Sequence, residues 1–301
     1  MNTAPSPAPK STSSRLIKLL IKISVTVLCF WYIATKINFS ASIKALLEAD
    51  WALLALAVVL YALSKLLSAF RLNIYFRNIK LHLPEWDNIK LYWLGMFYNL
   101  FLPGAIGGDA YKVILLHKKL DASYKKTSVA VLLDRFSGLL GLGVVLSVYG
   151  VVVMGNQLLE WVLAGGTGIA FAALYLAIRF FFKEFLPGFF PTFLWGLLVQ
   201  SIQVVCVYCI LLSLHMPPSD EWILIFLLSS VIAVFPVSMG GGLGTRELVF
   251  AEGAVYFQLD PEAGVTISLL FFLCNLLSCA WGAYYVFNEP LRALPKKDQE
   301  E

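Results

Sequence analysis

The chain has 301 residues, of which 59% are hydrophobic and only 14% charged, with a formal net charge of +4. A soluble domain carries about 25% charged residues, so this composition excludes a soluble globular protein. No segment is long and polar enough to add a separate soluble domain.

Residues 1–14 are rich in Ser, Pro and Thr and are expected to be a disordered tail. The apolar run 16–34 follows Lys10 and Arg15 and has the length of a full span. No small-x-small cleavage pattern follows it, so it reads as an uncleaved first helix and not as a signal peptide. Further full spans are expected at 51–70, 136–154, 160–179, 193–214 and 264–287, with Trp51, Trp161, Trp222 and Trp281 near their ends. A transmembrane domain over 15–290 and a charged tail over 291–301 complete the expected organisation. The five cysteines, including the Cys206–Cys209 pair, lie in apolar helices and read as small buried side chains. No metal site, cofactor or nucleic-acid partner is expected.

Two apolar segments, 91–106 and 222–257, differ from the rest. Each contains Pro-x-x-x-Gly-Gly, first as Pro103 to Gly107-Gly108-Asp109, then as Pro236 to Gly240-Gly241. A repeat of so unusual a pattern points to duplication. Each breaks a helix in apolar sequence and is followed by charge. Broken backbone at membrane depth must be buried in protein or line a polar cavity. Paired broken helices are the sequence pointer to a transporter's binding site.

Charge sets the topology. The basic N-terminus, the loop 71–90 with Arg71, Arg77, Lys80 and Lys90, and the loop with Lys112 to Lys126 all read as cytoplasmic. Segment 91–106 then enters and returns on one side, and 222–257 does the same from the other side. The expected fold class is an all-α polytopic membrane protein. About six full spans are joined by two re-entrant broken helices in an inverted-repeat, transporter-like plan. Eight ordinary spans are the alternative. Both termini are expected in the cytoplasm of a cell whose inner membrane holds the chain.

Intramembrane charges are costly and are candidate functional residues. They fall at Asp109 and Lys112 after the first break, at Asp134-Arg135 opening the span 136–154, and at Arg246-Glu247 after the second break, with Glu252 beyond. Asn99 precedes the first break. A helix starting at a glycine break presents N–H groups and a positive dipole end, which suits an anion. Arg246 adds a planar fork for phosphate and Lys112 a point charge. Asp109, Glu247 and Asp134 are candidates for a cationic head group or for coupling protons. The plainer alternatives are that the glycines only permit close packing and that the charges pair with one another.

The ordered set Asn99, Pro103, Gly107-Gly108-Asp109, Lys112, then Leu133-Asp134-Arg135 with Gly138, then Pro236, Gly240-Gly241, Gly244 and Arg246-Glu247 resembles the lysylphosphatidylglycerol synthase transmembrane-region family. The resemblance covers roughly residues 15–290. It implies a flippase-like protein that moves a lipid between leaflets. The residues expected to bind the substrate are Asn99, Pro103, Gly107, Gly108, Asp109, Lys112, Asp134, Arg135, Pro236, Gly240, Gly241, Gly244, Arg246 and Glu247. In the best-known members the lipid is aminoacylated phosphatidylglycerol, and others are associated with polyprenyl-linked sugars. The residues to Glu301 include no soluble aminoacyl-transferase region, so a separate lipid-modifying enzyme is an expected partner, beside membrane lipids and a second copy of the chain. Members commonly have Arg where this chain has Lys112, which keeps the charge without the fork. The expectation is a non-enzymatic transporter of a phosphate-bearing lipid, whether a phospholipid, an aminoacyl-phospholipid or a polyprenyl-linked lipid. A membrane enzyme acting on a lipid phosphate and a scaffold of an envelope pathway are the alternatives.

Overall fold

A chain in hydrocarbon must satisfy its backbone within each segment, and the helix is the element that does so. The computed structural model describes residue 44 and residues 47–101, 107–234, 242 and 244–291. The expected first span 16–34, both tails, and Pro103, Pro236, Gly240 and Gly241 lie outside these residues. Among the described residues the elements are helical. They are α1 (Trp51–Asn78), α2 (Glu85–Phe101), α3 (Gly107–Leu120), α4 (Tyr124–Met154), α5 (Gln157–Phe181), α6 (Phe189–Ser213), α7 (Asp220–Val234), α8 (Thr245–Tyr256) and α9 (Pro261–Phe287). A short 3-10 turn, Lys183–Gly188, leads into α6.

Five of these are long and apolar enough to cross a membrane: α1, α4, α5, α6 with its leading turn, and α9. They coincide with five of the six expected spans, but two begin or end elsewhere. α1 continues to Asn78 and carries Arg71 and Arg77 inside the helix, not in a loop. α4 begins at Tyr124, so Asp134-Arg135 do not open a span but sit about three turns into it. The apolar window marks the thickness of hydrocarbon, whereas the helix continues until its backbone meets a cap. Asp50 caps α1, accepting from Ala52 N at 2.9 Å, and Asp260 caps α9 ahead of Pro261.

The remaining four helices are short. α2 and α3 have 17 and 14 residues, and α7 and α8 have 15 and 12. At 1.5 Å per residue none reaches the ~30 Å hydrocarbon thickness. Each pair folds back on itself. A Cβ on Gly108 of α3 would lie 1.9 Å from the Gly95 carbonyl oxygen of α2, so only glycine allows the two backbones to meet. In the second pair a Cβ on Gly253 of α8 would lie 2.8 Å from Ile225 of α7.

The two hairpins enter from opposite ends. One end gathers Asn78, Glu85, Leu120, Tyr124 and the 3-10 turn. Ion pairs Lys126–Glu184 (2.7 Å) and Lys119–Glu289 (2.8 Å) tie it together, with Arg77–Glu85 beside them. The opposite end is joined by Asp50 N to Ser213 O (2.8 Å) and by Tyr208 Oη donating to Asp220 (2.7 Å). The first end is basic, with Lys80, Lys118, Lys119, Lys125, Lys126 and Lys183. The linkers 155–156, 214–219 and 257–260 at the other end hold no Lys or Arg.

α1–α4 and α6–α9 therefore repeat one order: long helix, short helix, break, short helix, long helix. The two long openers run antiparallel along their whole length. Cys206 meets Ala57 O at 3.2 Å, Gln203 Nε2 donates to Ser64 Oγ at 3.2 Å, and Thr192 Oγ1 donates to Tyr75 Oη at 2.8 Å. Two apolar clusters form the core. One, around Leu72, Tyr75, Phe76, Leu116 and Phe189, lies toward the basic end, and the other, around Ala57, Ile210, Phe226 and Phe271, toward the acidic end.

This topology has a direct check. In a chain with its native cysteines replaced by serine, W86C and K118C should react with an impermeant thiol reagent from one membrane face. P218C and E262C should react only from the other. Opposite-face labelling of W86C and K118C would restore the eight-span plan.

Candidate functional site

The space between the two clusters is polar. At its level lie Lys65, near the middle of α1, and Asn275, near the middle of α9. Together with Arg135 of α4 and Arg246 of α8 they line a cavity of about 250 Å³. Asn99, in the last turn of α2, and Ser230 of α7 add to its polar wall. Both broken pairs thus reach the same cavity. No carboxylate is among its lining residues.

The first hairpin is held by a charge cluster. Lys112 Nζ lies 2.9 Å from Asp109 Oδ1, and Arg135 Nε donates to Asp109 Oδ2. Asp109 therefore links α3 to α4 and bears two cations. Lys112 is 3% exposed and its ammonium sits 4.3 Å from the centroid of the Tyr92 ring. Its stem fills the notch at Gly95, where a Cβ would come within 2.0 Å of Lys112 Cε. Lys112 does not line the cavity. Asn99 Oδ1 accepts from Gly108 N at 2.8 Å, so this helix N-terminus already has a partner.

The second hairpin is held more lightly. Glu247 Oε2 accepts from Gly244 N at 2.6 Å, and Glu247 Oε1 accepts from Ser268 Oγ of α9 at 3.1 Å. Gly244 and Gly242 take φ of +84° and +108°, which favour glycine. A Cβ on Gly242 would sit 2.8 Å from Arg246 Nε, so the absent side chain makes room for the guanidinium. That guanidinium rests 4.9 Å from the Phe271 ring centroid, and its Nε is buried with no hydrogen-bond partner among the described residues. The buried Ser230 Oγ also lacks one. Gly108 N and Gly244 N, one backbone donor at each helix start, are thus both occupied.

Asp134 is elsewhere. It pairs with Arg71 of α1 at 2.7 Å, both nearly inaccessible, and a Cβ on Gly138 would lie 2.9 Å from that guanidinium. This pair joins α1 to α4 beneath the cavity and has no free face. Glu252 is exposed, at the rim of a separate apolar cavity of about 480 Å³ between α4, α5, α7 and α8.

A second space adjoins the polar one. An apolar groove of about 370 Å³ runs between α3 and α4, lined by Val113, Val131, Leu132 and Phe136 among others. Arg135 and Val234 belong to both linings. The pair of spaces is amphipathic, with a cationic chamber beside an apolar slot.

The profile of the lysylphosphatidylglycerol synthase TM region matches residues 19–190 and 186–282. This chain belongs to that family. It also resembles the UPF0104 membrane protein PH1989 of Pyrococcus horikoshii, with 29% identity over 119 residues, 39% of this chain and 34% of that protein. The chain thus matches about a third of that relative's length. Family membership and five apolar helices together make this a multi-pass membrane protein.

Of the residues expected at the site, Asn99, Arg135 and Arg246 line the chamber. Gly107, Gly108, Asp109 and Lys112 build the first hairpin behind it, and Gly244 and Glu247 shape the second. Asp134 does not line it. Sequence reasoning missed Lys65, Ser230 and Asn275. Lys65 had a signal, as the one charged residue within 51–70. Arg71 was read as a loop charge because the apolar window stops just before it.

Removing one partner of a buried pair leaves an uncompensated charge, at about 3–5 kcal/mol. R71M should therefore lower the thermal unfolding midpoint in detergent markedly. R71M/D134L should recover most of the loss. A double variant as unstable as the single one would show that the pair supplies more than charge compensation.

Proposed function

We propose that this chain is a lipid transporter of the inner membrane that moves a phosphate-bearing lipid between leaflets. The observation that carries the reading is the cationic chamber at mid-depth, shared by two broken hairpins that enter from opposite ends. A charge at a helix centre costs about 2.5–3.5 kcal/mol on insertion. Lys65 has no carboxylate within ion-pair distance among the described residues, so this cost is not offset by a neighbour. An incoming anion offsets it.

In this reading the phosphate lies among Lys65, Arg135 and Arg246, and an acyl or prenyl chain lies in the α3–α4 groove. The two hairpins are the gates. Each closes the chamber toward one end, and exchange between the two closures carries the head group across while the tail stays in lipid. Asp109, Glu247 and Asp134 serve the fold: the first two clasp the hairpins and the third neutralises Arg71. The basic end faces the cytoplasm by the positive-inside rule. Both termini are placed there too. The chain acts on its lipid without chemical change, and a separate enzyme supplies any modification.

Reconstituted protein and tail-labelled fluorescent lipids test this, with leaflet transfer read by quencher access. A charge-assisted hydrogen bond is worth about 1.5–3 kcal/mol, or about 10- to 100-fold. R246A and K65A should each slow transfer by at least that factor while keeping the wild-type unfolding midpoint. Undiminished transfer by both variants would overturn the assignment.

A further inference from the structure

The chamber's unused polar groups are nearly all donors. Asn99 Oδ1 accepts from Gly108 N at 2.8 Å, and Asn275 Oδ1 accepts from Tyr61 Oη at 3.0 Å and from Cys279 at 3.2 Å. Each amide oxygen is engaged, which leaves the NH2 groups of Asn99 and Asn275 to donate. Among the described residues Arg246 Nε–H is a buried donor without a partner, and the buried Ser230 hydroxyl is likewise unpartnered. Lys65 adds an ammonium over the face of Tyr61, 4.7 Å from its centroid.

The charge balance points the same way. Lys65, Arg135 and Arg246 line the chamber, and Lys112 shares Asp109 with Arg135. Asp109 and Glu247 are the acids that touch or adjoin these four cations among the described residues. Arg71 and Asp134 cancel. The cluster thus keeps two positive charges in a low-dielectric setting, where such an excess is costly. A phosphomonoester carries about −1.5 to −2 at neutral pH and three acceptor oxygens. A phosphodiester carries a single negative charge. An aminoacyl or ethanolamine head group adds an ammonium, and among the described residues no carboxylate lines the chamber to receive one. The volume, about 250 Å³, lies below the usual ~300–1,000 Å³ of small-molecule sites. A phosphate fits within it.

We infer that the chamber selects a terminal phosphomonoester, and so a lipid monophosphate in preference to phosphodiester or aminoacylated lipids. This rests on the transporter reading for its lipid, but not for its charge preference. Binding and transfer are therefore measured separately. The protein is placed in nanodiscs of zwitterionic lipid and titrated with tail-labelled phosphatidic acid, phosphatidylglycerol and lysyl-phosphatidylglycerol. Phosphatidic acid should bind at least 10-fold more tightly than either diester. That preference should fall to under 3-fold in K65A and in R246A, each with its wild-type unfolding midpoint. The milder K65Q and R246K are read alongside, in case an alanine variant fails to fold. Equal affinity for the three lipids, or a preference unchanged in folded variants, would overturn the inference. Inorganic phosphate should compete only at concentrations about 100-fold higher. Competition as strong as that of phosphatidic acid would make the ligand a free ion and overturn the lipid part. Selective binding of phosphatidic acid without transfer of any lipid would support the chamber's selectivity and remove the transporter reading. Transfer of phosphatidylglycerol alone would do the reverse.

Discussion

A broken helix in hydrocarbon exposes backbone that only protein or enclosed water can satisfy. The architecture follows from this constraint. Each break must be wrapped, so each broken pair is short, folds back, and sits between long helices. Gly95 meets Gly108 within one hairpin, and Gly282 of α9 presses on Trp93 of α2, where a Cβ would lie 2.4 Å from the Trp93 carbonyl oxygen. Gly141 of α4 meets Gly196 of α6 in the same way, at 2.6 Å from backbone. Apolar surface supplies little drive between helices that are already in lipid, so close backbone contact and polar pairing hold the bundle. The chamber lies where helices of the two hairpins meet.

The charges within the bundle do two kinds of work. Arg71–Asp134 is closed, each partner's charge met by the other, and its place could be taken by an apolar pair of the same volume. Asp109 is similarly occupied, by Lys112 and Arg135. Lys65 and Arg246 are different. The Lys65 ammonium lies over the Tyr61 ring and the Arg246 guanidinium over the Phe271 ring, and ring faces temper their charge without matching it. Among the described residues no carboxylate forms an ion pair with either, and the lining they share is cationic.

Much of this was legible in the residues. The paired Pro-x-x-x-Gly-Gly breaks, the run of lysines after the first, and the Lys-free linkers give the inverted hairpins without coordinates. Arg246 was legible too, as a charge directly after a break. The second partner of Asp109 and the partner of Asp134 were not. Both acids precede a basic residue in the chain, at Lys112 and at Arg135, yet Asp134 pairs with Arg71, 63 positions away, while Arg135 reaches back 26 positions to Asp109. Neighbours at i and i+1 on a helix point in different directions, so adjacency in sequence misleads. Lys65 was visible as a lone charge in a span, but only the fold reveals that α1 turns it toward the breaks.

The two clasps are unequal, although the plan is repeated. Asp109 is held across α3 and α4 by a guanidinium and within α3 by an ammonium. Glu247 is held across α8 and α9 by the Ser268 hydroxyl and closes back on the start of its own helix. Bonds in which both partners are ionised are the stronger class. The first hairpin is therefore tied to its long helix by charge on both sides, and the second by charge on one side only. Arg246, with its unpartnered Nε, rides on the second. An inverted repeat with identical clasps would bind its two closures equally. In the proposed cycle, Arg246 on the more lightly held α8 is the contact that moves, and Arg135 and Lys65 stay with their long helices.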